Sequence, residues 1–120
     1  MMATVLIIDD DEMMLNVVQK TLEDFGYSVH ATADGPQGIA IYKSQLPDVV
    51  LLDLGLPSMS GLDVLKELRA LDPAAKIIMV SGYGADETVN QAVRSGVYDF
   101  VHKPFKSDIL LEKIKAAIGS

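Results

Sequence analysis

Four consecutive carboxylates, Asp9-Asp10-Asp11-Glu12, close the first apolar run of this chain, and a fifth, Asp53, closes a later one. The runs ahead of them are Val5-Leu6-Ile7-Ile8 and Val49-Val50-Leu51-Leu52. Short unbroken apolar runs that end at a turn mark strands buried on both faces. Carboxylates at the C-terminal ends of such strands surface at the mouth of a parallel sheet, where open α/β folds place their ligands. Two of them ~5 Å apart, at an effective dielectric near 20, repel by roughly 3 kcal/mol. A pocket of this kind either shares a proton or takes up a cation. With oxygen donors and no cysteine in the chain, the cation is a hard one, Mg²⁺ or Ca²⁺. Mg²⁺ takes one or two carboxylates, keeps waters and leaves a place for a phosphate oxygen. A carboxylate beside it can act as nucleophile in phosphoryl transfer, given cations to neutralise the transferring oxygens. Lys103, followed by Pro104, and Ser81 each end a later strand-like run and supply an ammonium and a hydroxyl on the same edge.

The elements that must position these groups alternate along the chain. Strand-like runs lie at 5–8, 28–32, 48–53, 76–80 and 98–102. Helical spacing fills the intervals, first through Met14, Val18, Leu22 and Phe25 as far as Gly26. It resumes through Ile39, Tyr42 and Leu46 up to Pro47, then through Leu62, Leu65 and Leu68 before Pro73. Val89, Ala92 and Val93 point inward on a fourth helix ending at Gly96, and Leu111, Ile114 and Ile118 share one face of a fifth. Asp34, with Pro36 in the first turn, Asp86 and Ser107 are expected as N-caps.

Five βα units imply a parallel sheet with helices on both faces, joined by right-handed crossovers. The runs at 5–8 and 48–53 are the most apolar and belong in the centre, side by side, whereas the more polar 28–32 belongs near an edge. A flavodoxin-like, doubly wound (βα)5 fold of order 2-1-3-4-5 meets these conditions. Its switch point between the first and third strands gathers Asp9, Asp10 and Asp53 in one crevice.

Composition narrows the function classes. The 120 residues are 49% hydrophobic, which suits a single domain over 1–120 with a real core. The net charge of −7, from 17 acidic and 10 basic side chains, repels phosphate backbones, so direct nucleic-acid binding is not expected. No apolar stretch approaches the ~20 residues of a membrane span. Met1-Met2-Ala3-Thr4 leaves no room for a signal peptide before the first strand, and a cytoplasmic location is expected. A plain acidic start to a helix would need only Asp11 or Glu12, which leaves Asp9 and Asp10 to account for. His30 and His102 fit no ligand pattern and are read as structural, and Met13-Met14 as core filling.

An electron carrier of flavodoxin type would carry a Ser/Thr/Gly-rich phosphate cradle where this chain has acids. A P-loop nucleotidase would show G-x-x-x-x-G-K-[ST], which is absent. An aspartyl phosphatase overlaps in chemistry, but such enzymes place an acid two residues after the nucleophile, where this chain has Gly55.

The ordered set Asp9-Asp10, Asp53, Pro57, Gly61, Ser81-Gly82 and Lys103-Pro104-Phe105 resembles the receiver domain of bacterial two-component response regulators, over essentially the whole chain. The stretches 81–84 and 98–100 further resemble receivers of the NtrC type, which precede a sigma-54-dependent ATPase module. The resemblance implies a phosphorylation-activated signalling domain rather than an enzyme, limited to Mg-dependent self-phosphorylation and autodephosphorylation. Asp53 would accept phosphate from the phosphohistidine of a sensor histidine kinase. Asp10, Asp53 and the backbone carbonyl of Gly55 would bind Mg²⁺, for which Mn²⁺ or Ca²⁺ could substitute, and Asp9 would hold a metal-bound water. Lys103 would contact the phosphate, Ser81 would move to hydrogen-bond it, and Phe100 holds the aromatic switch position. Gly55 and Tyr83, two residues after the acceptor and after the hydroxyl, would tune the lifetime of the phosphate. The surface of the fourth helix, fifth strand and fifth helix would then suit homodimerisation or control of an output domain or partner. The alternative is a free-standing phosphotransfer shuttle with no output domain of its own.

Overall fold

The computed structural model describes residues 3–56, 59–82 and 86–119, with 86–89 as backbone only. Strands and helices alternate as β1 (Thr4–Ile8), α1 (Glu12–Asp24), β2 (Ser28–Thr32), α2 (Gly35–Gln45) and β3 (Val49–Asp53). They continue as α3 (Gly61–Leu71), β4 (Ile77–Ser81), α4 (Asp86–Arg94), β5 (Asp99–His102) and α5 (Ser107–Ile118). The sheet is parallel throughout, in the order β2-β1-β3-β4-β5. This is the flavodoxin-like order expected from the apolar runs.

The period-2 alternation of each central strand feeds two cores. Val5 and Ile7 of β1, Val49 and Leu51 of β3, and Ile78 and Val80 of β4 pack against α1 and α5. Leu6, Ile8, Val50, Leu52, Ile77 and Met79 turn the other way, onto α2, α3 and α4. Every residue of β3 and β4 is buried, whereas β2 at the edge buries only Thr32. Asp53 is thus the end of a strand with core on both sides, and its backbone has little freedom to move.

Helix starts follow local chemistry. Asp11, Asp34 and Ser60 each accept a hydrogen bond from the backbone N–H three residues on, closing the first turns of α1, α2 and α3. Ser107, expected as the cap of the last helix, is instead its first residue; Lys106 holds the cap position and makes no side-chain cap bond. Asp86 opens α4, and its side chain lies outside the described residues.

Four apolar positions expected inward face solvent; the first is Met13, read as core filling but 76% exposed on α1. Val93 is 59% exposed while its neighbour Ala92 is fully buried. Phe25 and Leu46 sit at the C-caps of α1 and α2, where the chain turns away from the helix face. They are 59% and 70% exposed, and Leu46 takes the left-handed φ of 47° that ends a helix. Strand bounds shift by one residue as well. Asp48 precedes β3, and its carboxylate accepts a hydrogen bond from the Thr4 N–H at 2.8 Å. Among the described residues no helix is long and apolar enough to cross a membrane.

Candidate acidic site at the C-terminal edge of the sheet

Asp9 leaves β1 still paired to β2, its N–H donating to the Thr32 carbonyl at 3.0 Å. The side chain is 1% exposed, and Oδ1 accepts from the Asp11 N–H at 2.9 Å. The other oxygen, Oδ2, is sealed from solvent and has no partner of hydrogen-bonding geometry; Lys103 Nζ stands 3.0 Å away as an ion pair. Asp53 ends β3 at 7% exposure, with Oδ1 3.8 Å from the same ammonium. Asp10 is exposed, yet Asp9, Asp10 and Asp53 each offer a carboxylate oxygen within 4.8 Å of the others.

This crowding shows in proton affinity. Burial, and then the charge of Asp9, push the Asp53 carboxyl up from 3.8 to about 6, with a smaller push from Asp10. Lys103 and a hydrogen bond from the Gly55 N–H pull it back only in part. Burial works against the Lys103 charge, but its close contact with Asp9 and the charges of Asp9, Asp53 and Asp11 together hold its pKa above the ordinary value. Three acids beside the Lys103 ammonium leave excess negative charge at this edge. Three carboxylates with oxygens within 4.8 Å of one another, one of them resisting ionisation, fit a site for a hard divalent cation.

Ser81 ends β4 at 3% exposure, and its carbonyl accepts the Lys103 N–H at 2.7 Å, binding the ends of β4 and β5 together. The Lys103–Pro104 peptide bond is cis. Phe100 is half-buried on the face that packs toward α4. Gly55 is exposed, and a side chain there would meet nothing within 4 Å. The structure therefore brings Asp9, Asp10, Asp53, Gly55 and Lys103 together, with Ser81 one strand away. Pro57 and Tyr83 lie outside the described residues.

Two positions do more than sequence reasoning assigned to them. A Cβ on Gly61 would lie against the Asp53 carbonyl and 2.6 Å from Leu54 Cα, so only glycine lets α3 start this close to the acceptor strand. Its N–H donates to the Leu54 carbonyl at 3.1 Å. Thr32, besides holding the Asp9 backbone, accepts the Asp34 N–H at its hydroxyl and so fixes the β2–α2 loop. The first could be suspected from a glycine shortly after the acid-bearing strand; the second has no signal in sequence.

The model of the response regulator receiver domain family matches residues 5–115. The chain belongs to this family. It is 37% identical to the chemotaxis protein CheY of Bacillus subtilis over 116 residues, covering 96% of this chain and 97% of the relative. The C4-dicarboxylate transport transcriptional regulatory protein DctD of Rhizobium meliloti is 34% identical over 114 residues, 95% of this chain but 25% of that protein. Among solved structures, a CheY-like response regulator receiver domain protein from Methanospirillum hungatei superposes with a TM-score of 0.96 at 33% identity, covering 99% of this chain and 95% of that one. NtrX from Brucella abortus gives a TM-score of 0.92 at 33% identity, over 99% of this chain and 27% of that one. Receiver domains are the signalling parts of two-component response regulators, not classical enzymes, and a histidine kinase is the partner that membership implies.

Proposed function

We propose that Asp53 is the phospho-acceptor of this receiver, taking a phosphoryl group from a sensor histidine kinase in a Mg-dependent reaction. The observation that carries this reading is the Asp53 carboxylate itself. It is 7% exposed, fixed at the end of the central strand and repelled by Asp9, with a single ammonium 3.8 Å away. Asp10, Asp53 and the Gly55 carbonyl would hold the cation, with Asp9 reaching it through a water; once bound, it supplies the charge that neutralises the phosphoryl oxygens.

The remaining work belongs to the chain. The Asp53 carboxylate oxygen bonds to phosphorus as the donor's P–N bond breaks, and the leaving imidazole keeps the electron pair and takes a proton. Burial weakens competing solvation of the nucleophile. The ammonium of Lys103 answers the charge of the transferred group, and the Ser81 hydroxyl donates a hydrogen bond to it. Movement of Ser81 frees space that Phe100 fills, altering the α4-β5-α5 surface used for homodimerisation, an output domain or another partner. Such a population shift needs a coupling of only ~1–3 kcal/mol. The single domain over 1–120 acts in the cytoplasm and makes no direct contact with nucleic acid. NtrX and DctD as relatives support an NtrC-type output.

Acetyl phosphate with Mg²⁺ should add one acid-stable, base-labile phosphate to the wild type and none to Asp53→Asn, as read by intact mass. Modification of a serine, or undiminished labelling of Asp53→Asn, would overturn the assignment.

A further inference from the structure

His102 closes β5, directly before Lys103, and pairs in register with Ser81 on β4. Two residues earlier, Phe100 pairs with Met79. The strand period places both rings on one face of the sheet, and they touch, with centroids 4.9 Å apart and planes inclined by 52°. Their surroundings differ. Phe100 is half-buried against the core that Met79 and Ala92 help form, whereas His102 is exposed at the rim. The ring contact is therefore made where Phe100 stands near the surface. The backbone carrying His102 is tied to β4 by its register with Ser81 and by the Lys103 N–H, which donates to the Ser81 carbonyl at 2.7 Å.

We propose that His102 is a positioning residue for the switch: its ring holds Phe100 in the half-exposed position and so sets how readily phosphorylation at Asp53 drives Phe100 inward. The inference rests on the reading of Asp53, Ser81 and Phe100 given above. An inward ring loses the aromatic contact with His102 and gains burial near Ser81. A contact of this type shifts a two-position equilibrium by roughly threefold to tenfold. Loss of the ring favours the inward position, and any planar aromatic at 102 restores the balance. His102 touches neither the acids nor the transferred group on this account, so the labelling chemistry is untouched.

The chain contains three phenylalanines, so fluorine-labelled phenylalanine gives a spectrum in which Phe100 is assignable by substitution. Spectra of the wild type, His102→Ala and His102→Tyr are recorded with Mg²⁺ alone and with Mg²⁺ and beryllofluoride. In the wild type, beryllofluoride should move the Phe100 signal, and Asp53→Asn should abolish the movement; a static signal would sink the reading of the switch itself. With that response in hand, His102→Ala with Mg²⁺ alone should already lie partway to the beryllofluoride position, by a population change of about threefold or more, and His102→Tyr should return it. A His102→Ala signal that coincides with wild type, or a His102→Tyr signal that matches His102→Ala, would refute the positioning role while leaving the switch intact.

Discussion

The two ends of the sheet treat buried polar groups in opposite ways. At the N-terminal edge they are satisfied. The Tyr42 hydroxyl, on a residue 3% exposed, donates to Asp72 at 2.7 Å. Burial, and then this bond, raise the pKa of Tyr42, while Asp72 is held below the usual carboxylate range first by Tyr42 and then by the Ala74 N–H. Arg69 donates to the Ala75 carbonyl at 3.2 Å in the same region. At the C-terminal edge the charges do not balance: Asp9, Asp10 and Asp53 crowd together, the Lys103 ammonium pairs with Asp9 at 3.0 Å but stands 3.8 Å from Asp53, and Asp53 is pushed up to about 6. One end stabilises the fold; the other stores repulsion that a cation and a phosphoryl group can relieve.

The contrast can be broken at either end, and the largest effect should come from sterics. Gly61→Ala places a methyl group 2.6 Å from Leu54 Cα and against the Asp53 carbonyl. It should destabilise by about 3 kcal/mol, near the top of the range for overpacking, and slow labelling of Asp53; urea unfolding alongside intact mass reports both. An unchanged midpoint would mean that α3 can retreat without disturbing the acceptor strand.

Next is Asp53→Asn without metal. The folded pKa of Asp53 is raised, so the wild type keeps its full stability below pH 4 and loses it as pH rises through about 6. The variant should therefore match wild type at pH 4 and exceed it by about 1–3 kcal/mol at pH 7. A gain that instead appears on acidification would have the wrong sign for this account. At the opposite end, Tyr42→Phe should lose about 1 kcal/mol, with no effect on labelling. The substitutions lie at opposite ends of the sheet, and their effects on stability should add.

Much of the fold and of the acidic edge was legible in the amino-acid order. Runs such as Val49–Leu52, bounded by turns, read as strands covered on both faces, and their ranking by apolarity put β1 and β3 side by side at the centre, a condition that the order 2-1-3-4-5 meets. The acids stood out because they end those runs. What stayed hidden depends on contacts between distant segments. Nothing local predicts that Thr32 carries Asp9, or that the Tyr42 hydroxyl meets Asp72. Val93, Phe25 and Leu46 obeyed helical spacing yet face solvent, since spacing fixes a helix face but not where the sheet stops covering it. Ser107 lost the cap position because the α5 helix begins with it.

The smallest effect concerns the lifetime of the phosphate. With Gly55 open to solvent and offering no side chain, the proposed guard of the in-line water path is Tyr83. Tyr83→Ala should speed dephosphorylation severalfold, on the order of 1 kcal/mol of barrier; an unaltered or slower decay would show that Tyr83 points away.

The claim beneath all of this is that the ionised form of Asp53 is disfavoured by its surroundings until a cation arrives. Carbon-13 NMR of the side-chain carboxyl reads that directly when pH is titrated in the absence of divalent metal. The account predicts a midpoint near 6, falling when Mg²⁺ is added and also falling in Asp9→Asn, which removes the strongest neighbouring charge. A midpoint near the ordinary 3.8, insensitive to Mg²⁺ and to Asp9→Asn, would contradict it.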